Sequence, residues 1–419
     1  MSACTGRPRW MSGLHQVTSY VPALYPIGGL IVVMANRDLV VLGFVGFVTS
    51  FGAHSVAVSL PTYAHQVGVG TLAIGLLIAV YDFAEVIAKP VFGYLADRRG
   101  QVKTLWAGLG VFSVASIVFP VIDPRLLLAI RLLQGLGAAA FSVISVALVA
   151  AYFPQSRGEA IGKYNALKGA GYVVAPAAGG FVVASVSFAG LFVVTAIVGF
   201  VVLAFAFSLK EPAQPVDYDD DDHRFSLRDF LAPFSDAVLM PWYVVIVVNM
   251  FLVGILFGFV PVYLNSIGYD PFKAGLILSA GTLAYLAVQP LAGRWADRYG
   301  GRVTVIIGLV VSSLSTVFLV FAQGVLLVVL VVLGGLGIGV VWTNCDAIIS
   351  DLAKEGRLST SLGTAGSFKE IGDMLGPLTI GAVSQFFGLI TGFVVCGVMG
   401  LAGTTLIVHR KGTDSREAH

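Results

Sequence analysis

The chain has 419 residues, of which 57% are hydrophobic and only 11% are Asp, Glu, Lys or Arg. A mean hydropathy of +0.90 and a total of 50 glycines lie outside the range of soluble globular proteins. The net charge of +2 comes from basic residues spread along the chain, which is not a nucleic-acid-binding pattern. Cys4, Cys345 and Cys396 lie too far apart to indicate a disulfide framework or a metal site. These numbers predict a polytopic membrane protein.

About twelve apolar runs follow one another along the chain. A helix of about 20 residues crosses a bilayer core of about 30 Å, and each run is far longer than a barrel strand of about 9–11 residues. We therefore predict an all-α protein with helices at 39–62, 71–95, 103–122, 126–152, 159–184, 187–209, 242–264, 271–295, 303–322, 325–351, 360–386 and 389–408.

Polar stretches between these runs predict the domain organisation. The acidic run Asp217–His223 indicates a solvated segment rather than a metal site, because runs of like charge repel and stay hydrated. The predicted parts are an N-terminal extension that is disordered or starts at a mis-assigned methionine (1–38), a six-helix bundle (39–209), a cytoplasmic linker (210–241), a second six-helix bundle (242–408) and a cytoplasmic tail (409–419).

The basic residues predict the orientation in the membrane. If the N-terminus lies inside, the loops on the outer side receive only Arg125 and Lys273, and the inner loops receive nearly all other Lys and Arg residues. Cytoplasmic loops carry such an excess. We therefore predict a protein of the cytoplasmic (inner) membrane with both termini in the cytoplasm.

The chain contains an internal repeat. A shift of 200 residues aligns Pro61 with Pro261 and the segment "GYLADRRG" (93–100) with "GRWADRYG" (293–300). A shift of 201 aligns Lys168 with Lys369 and Pro176 with Pro377. Two homologous halves with the same orientation are the geometry of secondary transporters whose substrate site lies between the halves.

Several segments resemble motifs of the major facilitator superfamily. "GYLADRRG" and "GRWADRYG" resemble the two copies of its motif A, "RLLQGLGAAA" (131–140) resembles motif B, and "GYVVAPAAGG" (171–180) resembles motif C of proton-coupled antiporters. The segment "GDMLGPLTIG" (372–381) is a partial echo of motif C. The resemblance covers about residues 39–408 and implies two six-helix bundles related by pseudo-two-fold symmetry.

The resemblance also implies roles for the motif residues. Motif A would act as a charge latch that controls gating, although its basic residues are also explained by membrane orientation alone. Its residues are Gly93, Asp97, Arg98, Gly100, Gly293, Asp297, Arg298 and Gly300. Motif C and its echo would pack helices through Gly171, Pro176, Gly179, Gly180, Gly376 and Pro377.

Ionisable residues inside predicted spans are costly at about 2.5–3.5 kcal/mol each, so we expect them to face a cavity. Glu85 and Lys89 share a helix face and can neutralise each other, and so can Lys369 and Asp373. Asp82 has no basic residue one turn away in its own helix. The residues that we predict for proton coupling are Asp82, Glu85, Arg131, Glu370 and Asp373, with Arg131 assigned through its motif B position.

Two lysines and several polar or aromatic residues are candidates for the substrate cavity. Lys168 and Lys369 occupy equivalent positions, where they attract an anion, hold carboxylates or extend to the membrane interface. The further candidates are His54, Asn165, Tyr172, Asn249, Gln289, Trp342 and Asn344.

These observations predict a monomeric secondary transporter that exports a small organic molecule in exchange for protons by alternating access. The alternative is a proton symporter or exchanger of an organic anion, and a transporter-like sensor or membrane-embedded enzyme is a third reading. No nucleotide-binding motif, metal-ligand spacing or nucleophile–base arrangement is apparent, so we expect no enzymatic activity, no cofactor and a proton gradient as the energy source. The expected partners are the substrate and the lipid bilayer, with no nucleic acid.

Overall fold

The computed structural model describes residues 37–66, 70–154, 156–212, 236–352 and 358–408, and every regular element in these ranges is helical. The first half contains α1 (Arg37–Gln66), α2 (Thr71–Arg99), α3 (Gln101–Val118), α4 (Leu127–Tyr152), α5 (Arg157–Ser185) and α6 (Phe188–Ala206). The second half contains α7a (Met240–Gly258), α7b (Val260–Ser266), α8 (Pro271–Tyr299), α9 (Gly301–Leu319), α10 (Gly324–Leu352), α11 (Leu358–Phe387) and α12 (Leu389–Val408). The predicted extension, most of the linker and the tail lie outside the described residues, so the domain boundaries there stay predictions.

Ten segments of the described chain are long and apolar enough to cross a membrane, namely α1 to α6, the whole of α7, α8, α9 and α10. The apolar part of α12, Leu389–Thr405, is shorter. Helix α11 is more polar because it carries Lys369, Glu370 and Asp373 among several Ser and Thr residues. It packs between α2 and α7a, inside the bundle, where a polar face is shielded from lipid. The all-α membrane fold is thereby confirmed.

The seventh helix is interrupted at Phe259, whereas the apolar pattern predicted a continuous helix over 242–264. Pro261 explains the break, because proline has no backbone N–H to donate to the carbonyl four residues earlier. Helix α8 begins at Pro271, where the Asp270 carboxylate accepts a hydrogen bond of 2.9 Å from the backbone N–H of Lys273. That bond lowers the pKa of Asp270.

Helices α2 and α8 end at repeat-related glycines. Gly100 and Gly300 have φ angles of +104° and +88°, which glycine adopts without steric cost. Each is followed at once by the next helix, so the two hairpin turns of the motif A segments have the same backbone geometry.

The two halves repeat the same helix packing. In the first half α4 packs on α2 and α3, and α3 packs on α6. In the second half α10 packs on α8 and α9, and α9 packs on α12. These pairs correspond to each other under the repeat, so the duplication seen in the sequence is a duplication of tertiary structure.

The halves contact each other along two helix pairs, α2 with α11 and α5 with α8. A Cβ added at Gly75 would lie 2.4 Å from the Pro377 carbonyl oxygen, and a Cβ added at Gly275 would lie 2.1 Å from the Pro176 carbonyl oxygen. Small residues let helix backbones approach this closely in membranes. Both contacts lie near the N-terminal ends of α2 and α8, whereas the motif A turns follow their C-terminal ends. At the same N-terminal end of α2, Thr71 donates a hydrogen bond of 3.2 Å to the Gly381 carbonyl.

At the motif A end the halves are not pressed together in this way. A Cβ added at Gly93 or Gly293 would meet no atom within 4 Å, so neither glycine makes a close helix approach. The close backbone contacts of Gly75 and Gly275 at one end of α2 and α8 thus have no counterpart at Gly93 and Gly293 near the other end.

Candidate functional site

A partly buried ion triad joins the two halves across the cleft. The Lys89 Nζ of α2 lies 2.5 Å from a Glu85 carboxylate oxygen in its own helix and 2.5 Å from a Glu370 carboxylate oxygen on α11. The pairing of Glu85 with Lys89 follows the four-residue spacing of the sequence. The contact with Glu370 is tertiary, and it leaves both glutamates with a cationic partner.

Asp82 and Asp373 line one small cavity of about 40 Å³. Asp82 belongs to α2 in the first half and Asp373 to α11 in the second half, so both halves build this cavity. Among the described residues, neither carboxylate has a hydrogen bond or an ion pair. Arg131, Tyr81 and His54 also line the cavity. Two carboxylates that share a low-dielectric space repel each other when both are ionised.

Arg131 is the cation of this acidic cavity. Its side chain is 1% exposed, and one terminal nitrogen donates a hydrogen bond of 2.6 Å to Gln134. Gln134 in turn donates to the Ser116 hydroxyl at 2.8 Å, and the guanidinium lies 4.2 Å from the Tyr81 ring centroid. Neutral groups therefore fix the guanidinium beside Asp82, and its Nε has no hydrogen-bond partner among the described residues.

A second cavity of about 30 Å³ is lined mainly by aromatic and apolar side chains. The His54 ring lies 4.2 Å from the Tyr172 ring and 4.6 Å from the Phe257 ring. On the opposite side, Tyr285 and Trp342 pack edge to face at 5.7 Å. His54, Phe257 and Asp373 line both cavities, so the acidic cavity and this aromatic cavity are neighbours.

The two repeat-related lysines have different environments. Lys369 lies 2.7 Å from an Asp346 carboxylate oxygen on α10 and 4.3 Å from the centroid of the Trp342 ring. The sequence spacing suggested Asp373 as its partner, and the structure corrects this because α10 places Asp346 closer. Lys168 is half-buried and has no ion pair with any described residue.

The remaining predicted cavity residues line neither cavity. Asn249 is buried and donates a hydrogen bond of 3.3 Å to the Ile338 carbonyl, which links α7a to α10. Asn344 is fully buried, Asn165 is exposed, and Gln289 is half-buried. A direct role of these four residues in substrate binding stays a prediction.

The motif C residues lie in close helix contacts. Gly171 and Gly179 of α5 face the backbone of α1 at Phe47 and Ser55, whereas Gly180 faces the carbonyl of Pro271 on α8. In the echo, Gly376 faces the carbonyl of Phe251 on α7a. The packing role implied by the resemblance agrees with these positions.

The two copies of motif A differ in their surroundings. Three consecutive backbone N–H groups at the start of α3, those of Gln101, Val102 and Lys103, donate to the Glu211 carboxylate at 3.0, 3.0 and 3.3 Å. In the second copy, Asp297 and Arg298 are exposed. The side chains of Asp97 and Arg98 lie outside the described part of the chain, so the charge latch stays a prediction.

Sequence reasoning did not select Tyr81, Phe257 and Tyr285 as site residues. Tyr285 lies one helix turn from Thr282, the repeat partner of Asp82, so helical spacing alone placed it on the cleft face. Tyr81 and Phe257 carried no such signal, because an aromatic residue in a span is usually a packing residue.

Comparison with known proteins agrees with this geometry. The family model of the Major Facilitator Superfamily matches residues 42–283 and 264–418. The multidrug resistance protein MdtG of Serratia proteamaculans is 28% identical over 408 residues, covering 91% of this chain and 96% of that protein. MdtG of Klebsiella pneumoniae is 27% identical, covering 86% and 90% of the two chains.

Solved structures share the fold at low identity. A mutant of the nucleoside transporter NupG superposes with a TM-score of 0.76 at 15% identity, covering 89% of this chain and 99% of that one. A bacterial homolog of the human lysosomal transporter Spinster, inward-facing and occupied, gives 0.74 at 14% identity, covering 88% and 95%. Since the family model spans nearly the whole duplicated region, this multi-pass membrane protein is a secondary transporter that belongs to the major facilitator superfamily.

Proposed function

We propose that the protein exports small organic molecules across the inner membrane of a bacterium in exchange for protons. The observation that carries the proposal is the position of Asp82 and Asp373, which come from opposite halves and line one buried cavity with Arg131. The protein acts as a monomer with both termini in the cytoplasm, needs no cofactor beyond the proton gradient, and has no enzymatic activity.

The acidic cavity suits a proton carrier because of where it lies. Any rocking of one half against the other changes the separation of Asp82 and Asp373, and with it the cost of ionising both. Glu85 and Glu370 are already held by Lys89, so they are the weaker candidates of the predicted set. Each proton that moves inward down a potential of 100 mV releases about 2.3 kcal/mol for export.

The aromatic cavity is the proposed substrate site. Its volume of about 30 Å³ is far below the about 300–1,000 Å³ of ligand pockets, so substrate binding requires the halves to move apart there. Its rings offer flat apolar surfaces, and Asp373, at its boundary with the acidic cavity, is within reach of both ligands. A cationic substrate in the aromatic cavity stabilises the ionised form of Asp373 and so disfavours its proton, which is the competition that exchange requires. The MdtG relatives are named multidrug resistance proteins, which supports export as the direction.

The packing of the halves supports alternating access. Gly75 and Gly275 close the end that the basic loops predict to face outward, and Gly93 and Gly293 are free of close contacts at the other end. Under this proposal the structure is the inward-facing state, and transport requires these two sets of contacts to exchange.

Reconstitution into liposomes with an internal pH dye tests the proposal. A panel of cationic, neutral and anionic aromatic compounds is first screened by thermal stabilisation of the purified protein, and the best binder is then used for transport. We expect binder movement to drive proton movement in the opposite direction, and Asp82→Asn and Asp373→Asn to abolish this coupling. Glu159→Gln, which changes a carboxylate that is 66% exposed on α5, is the matched control. Normal coupling in both aspartate variants would refute the proton site.

The second candidate is symport or exchange of an organic anion. Lys168 favours it, since this half-buried lysine has no ion-pair partner among the described residues. Lys369 does not, because Asp346 already neutralises it. If the best binder is an anion that moves in the same direction as the proton, and Lys168→Ala prevents its binding, this candidate replaces export.

A further inference from the structure

A groove on the lateral surface of the second half lies apart from the transport site. It has a volume of about 470 Å³ and is formed by α8, α9 and α10. Its floor includes Val288 and Val340, and Ile307 stands on its open side with 56% of its surface exposed. Among the aliphatic side chains that line it, only Thr304 carries a hydroxyl group. That hydroxyl donates a hydrogen bond of 2.9 Å to the Gly300 carbonyl. The surface offered to a ligand is therefore apolar, and the volume falls within the range of ligand pockets, about 300–1,000 Å³.

One end of the groove has a different character. Trp295 and Tyr299 line it near the motif A turn and are both exposed. The Arg298 guanidinium lies 5.4 Å from the Tyr299 ring centroid, and the Arg294 side chain is exposed on the preceding turn. Trp and Tyr are enriched at the level of the lipid headgroups, and basic residues collect on the cytoplasmic side. The groove thus runs from a basic, aromatic end into the apolar part of the span.

The first half shows that the fold does not require this pattern. Under the 200-residue shift, Tyr299 and Val303 correspond to Arg99 and Lys103, and Ile307 corresponds to Ala107. The first half thus carries two charged residues on the path where the second half carries groove-lining apolar ones. The two halves share their helix packing, but only the second half has uncharged side chains at the Tyr299 and Val303 positions of the groove.

We propose that the groove binds an anionic phospholipid of the inner leaflet, with an acyl chain along Ile307 and Val340 and the headgroup phosphate at Arg298 and Arg294. The apolar lining matches an acyl chain and the arginines match the negative charge. The inner leaflet is where anionic lipids meet basic side chains. The bound chain packs against the backs of α8 and α10, the helices that carry Tyr285 and Trp342 into the cleft.

Lipid binding to the full-length protein in detergent tests the proposal. Delipidated protein is titrated with phosphatidylglycerol or with phosphatidylcholine of the same acyl chains, and both the melting temperature and the lipid retained in native mass spectrometry are recorded. We expect phosphatidylglycerol to raise the melting temperature more than phosphatidylcholine. An arginine near the headgroup is worth about 1 kcal/mol, so Arg298→Gln should weaken the anionic lipid about fivefold.

The groove itself is tested by Ile307→Trp, which fills it from the exposed side. We expect this variant to retain less lipid of either kind, whereas Ala107→Trp at the repeat-related exposed position retains as much as the wild type. Arg99→Gln is the matched charge control. The lipid-free melting temperature of each variant shows whether it has folded.

Three results would overturn the proposal. If the two lipids stabilise the protein equally, the groove does not recognise the anionic headgroup. If neither lipid stabilises the protein, the groove is not a lipid-binding site. Equal lipid loss in Ile307→Trp and Ala107→Trp would show general binding to the protein surface.

Discussion

The acidic and aromatic cavities adjoin each other between the two halves, and repeat-related positions in and near them carry different side chains. Asp82 in the first half corresponds to Thr282 in the second, Arg131 corresponds to Val331, and Tyr172 corresponds to Asp373. The backbone around these positions follows the same helix packing in both halves. Duplication therefore supplied one scaffold twice, and divergence at these positions gave the two cavities the different side chains on which their proposed roles depend.

Exchanging a residue for its repeat partner tests this division most directly, and Asp82→Thr has the largest expected effect. Thr282 is the natural residue at the related site, so the fold tolerates it there. Removing the carboxylate leaves Asp373 as the only carboxylate that lines the acidic cavity among the described residues. We expect export driven by a pH gradient to fall at least about 100-fold, or roughly 3 kcal/mol, while downhill movement of the substrate persists.

Proton-driven export is measured in liposomes with and without a gradient, with Glu159→Gln as the control. Export that still responds to the gradient after Asp82→Thr would place proton coupling elsewhere, with Glu370 as the next candidate.

The ion triad at Lys89 links the two halves, whereas the ion pair at Lys369 lies within the second half. Lys89→Met leaves Glu85 and Glu370 without their shared cation, and breaking a buried ion pair costs about 3–5 kcal/mol. The lysine is 25% exposed, so we expect about 2–3 kcal/mol, seen as a lower melting temperature. Lys369→Met removes a pair confined to the second half and is expected to cost less. A larger loss in Lys369→Met would contradict the assignment of Lys89 as the inter-half link.

The paired glycines control the closed end of the cleft. Gly75→Ala and Gly275→Ala each place a Cβ within 2.4 Å of a backbone carbonyl, and overpacking costs about 1–3 kcal/mol. We expect each variant to shift the protein toward a state that is open at this end. The shift is measured as the distance between spin labels on the corresponding ends of α2 and α11. Gly162→Ala on α5, where a Cβ meets no atom within 4 Å, is the control and should leave the distance unchanged.

The aromatic cavity gives the smallest expected effect. Trp342→Ser introduces the residue found at the repeat-related position, Ser142. Loss of an aromatic contact is worth about 0.5–1.5 kcal/mol beyond the buried area, so substrate binding should weaken about fivefold. The number of protons exchanged per substrate should not change. A change in that number would show that the two cavities do not divide the two tasks.

The helices and the repeat could be read from the sequence because both depend on local composition. Hydropathy located α8 at 271–295, and the structure extends it to Tyr299 because polar residues at the membrane edge continue the helix until Gly300. The pairing of Glu85 with Lys89 was also predictable, since helical spacing fixes it.

Contacts between distant helices could not be read in the same way. The Glu370 partner of Lys89 lies 281 residues away, and the Asp346 partner of Lys369 lies on another helix. The sequence placed Asp82 and Asp373 in the cleft but not in one cavity. Their shared cavity depends on how α2 and α11 are rotated about their axes, which the apolar pattern leaves open because both helices contact other helices on several sides.

The contacts of Gly75 with Pro377 and of Gly275 with Pro176 are reciprocal: each half contributes one glycine and one proline. A single six-helix chain that carried one such glycine and one such proline would form both contacts by associating with its own copy, as in an isologous homodimer. The same glycine–proline contact therefore closes this end of the cleft twice. It keeps the geometry through which two separate subunits would have associated before their fusion.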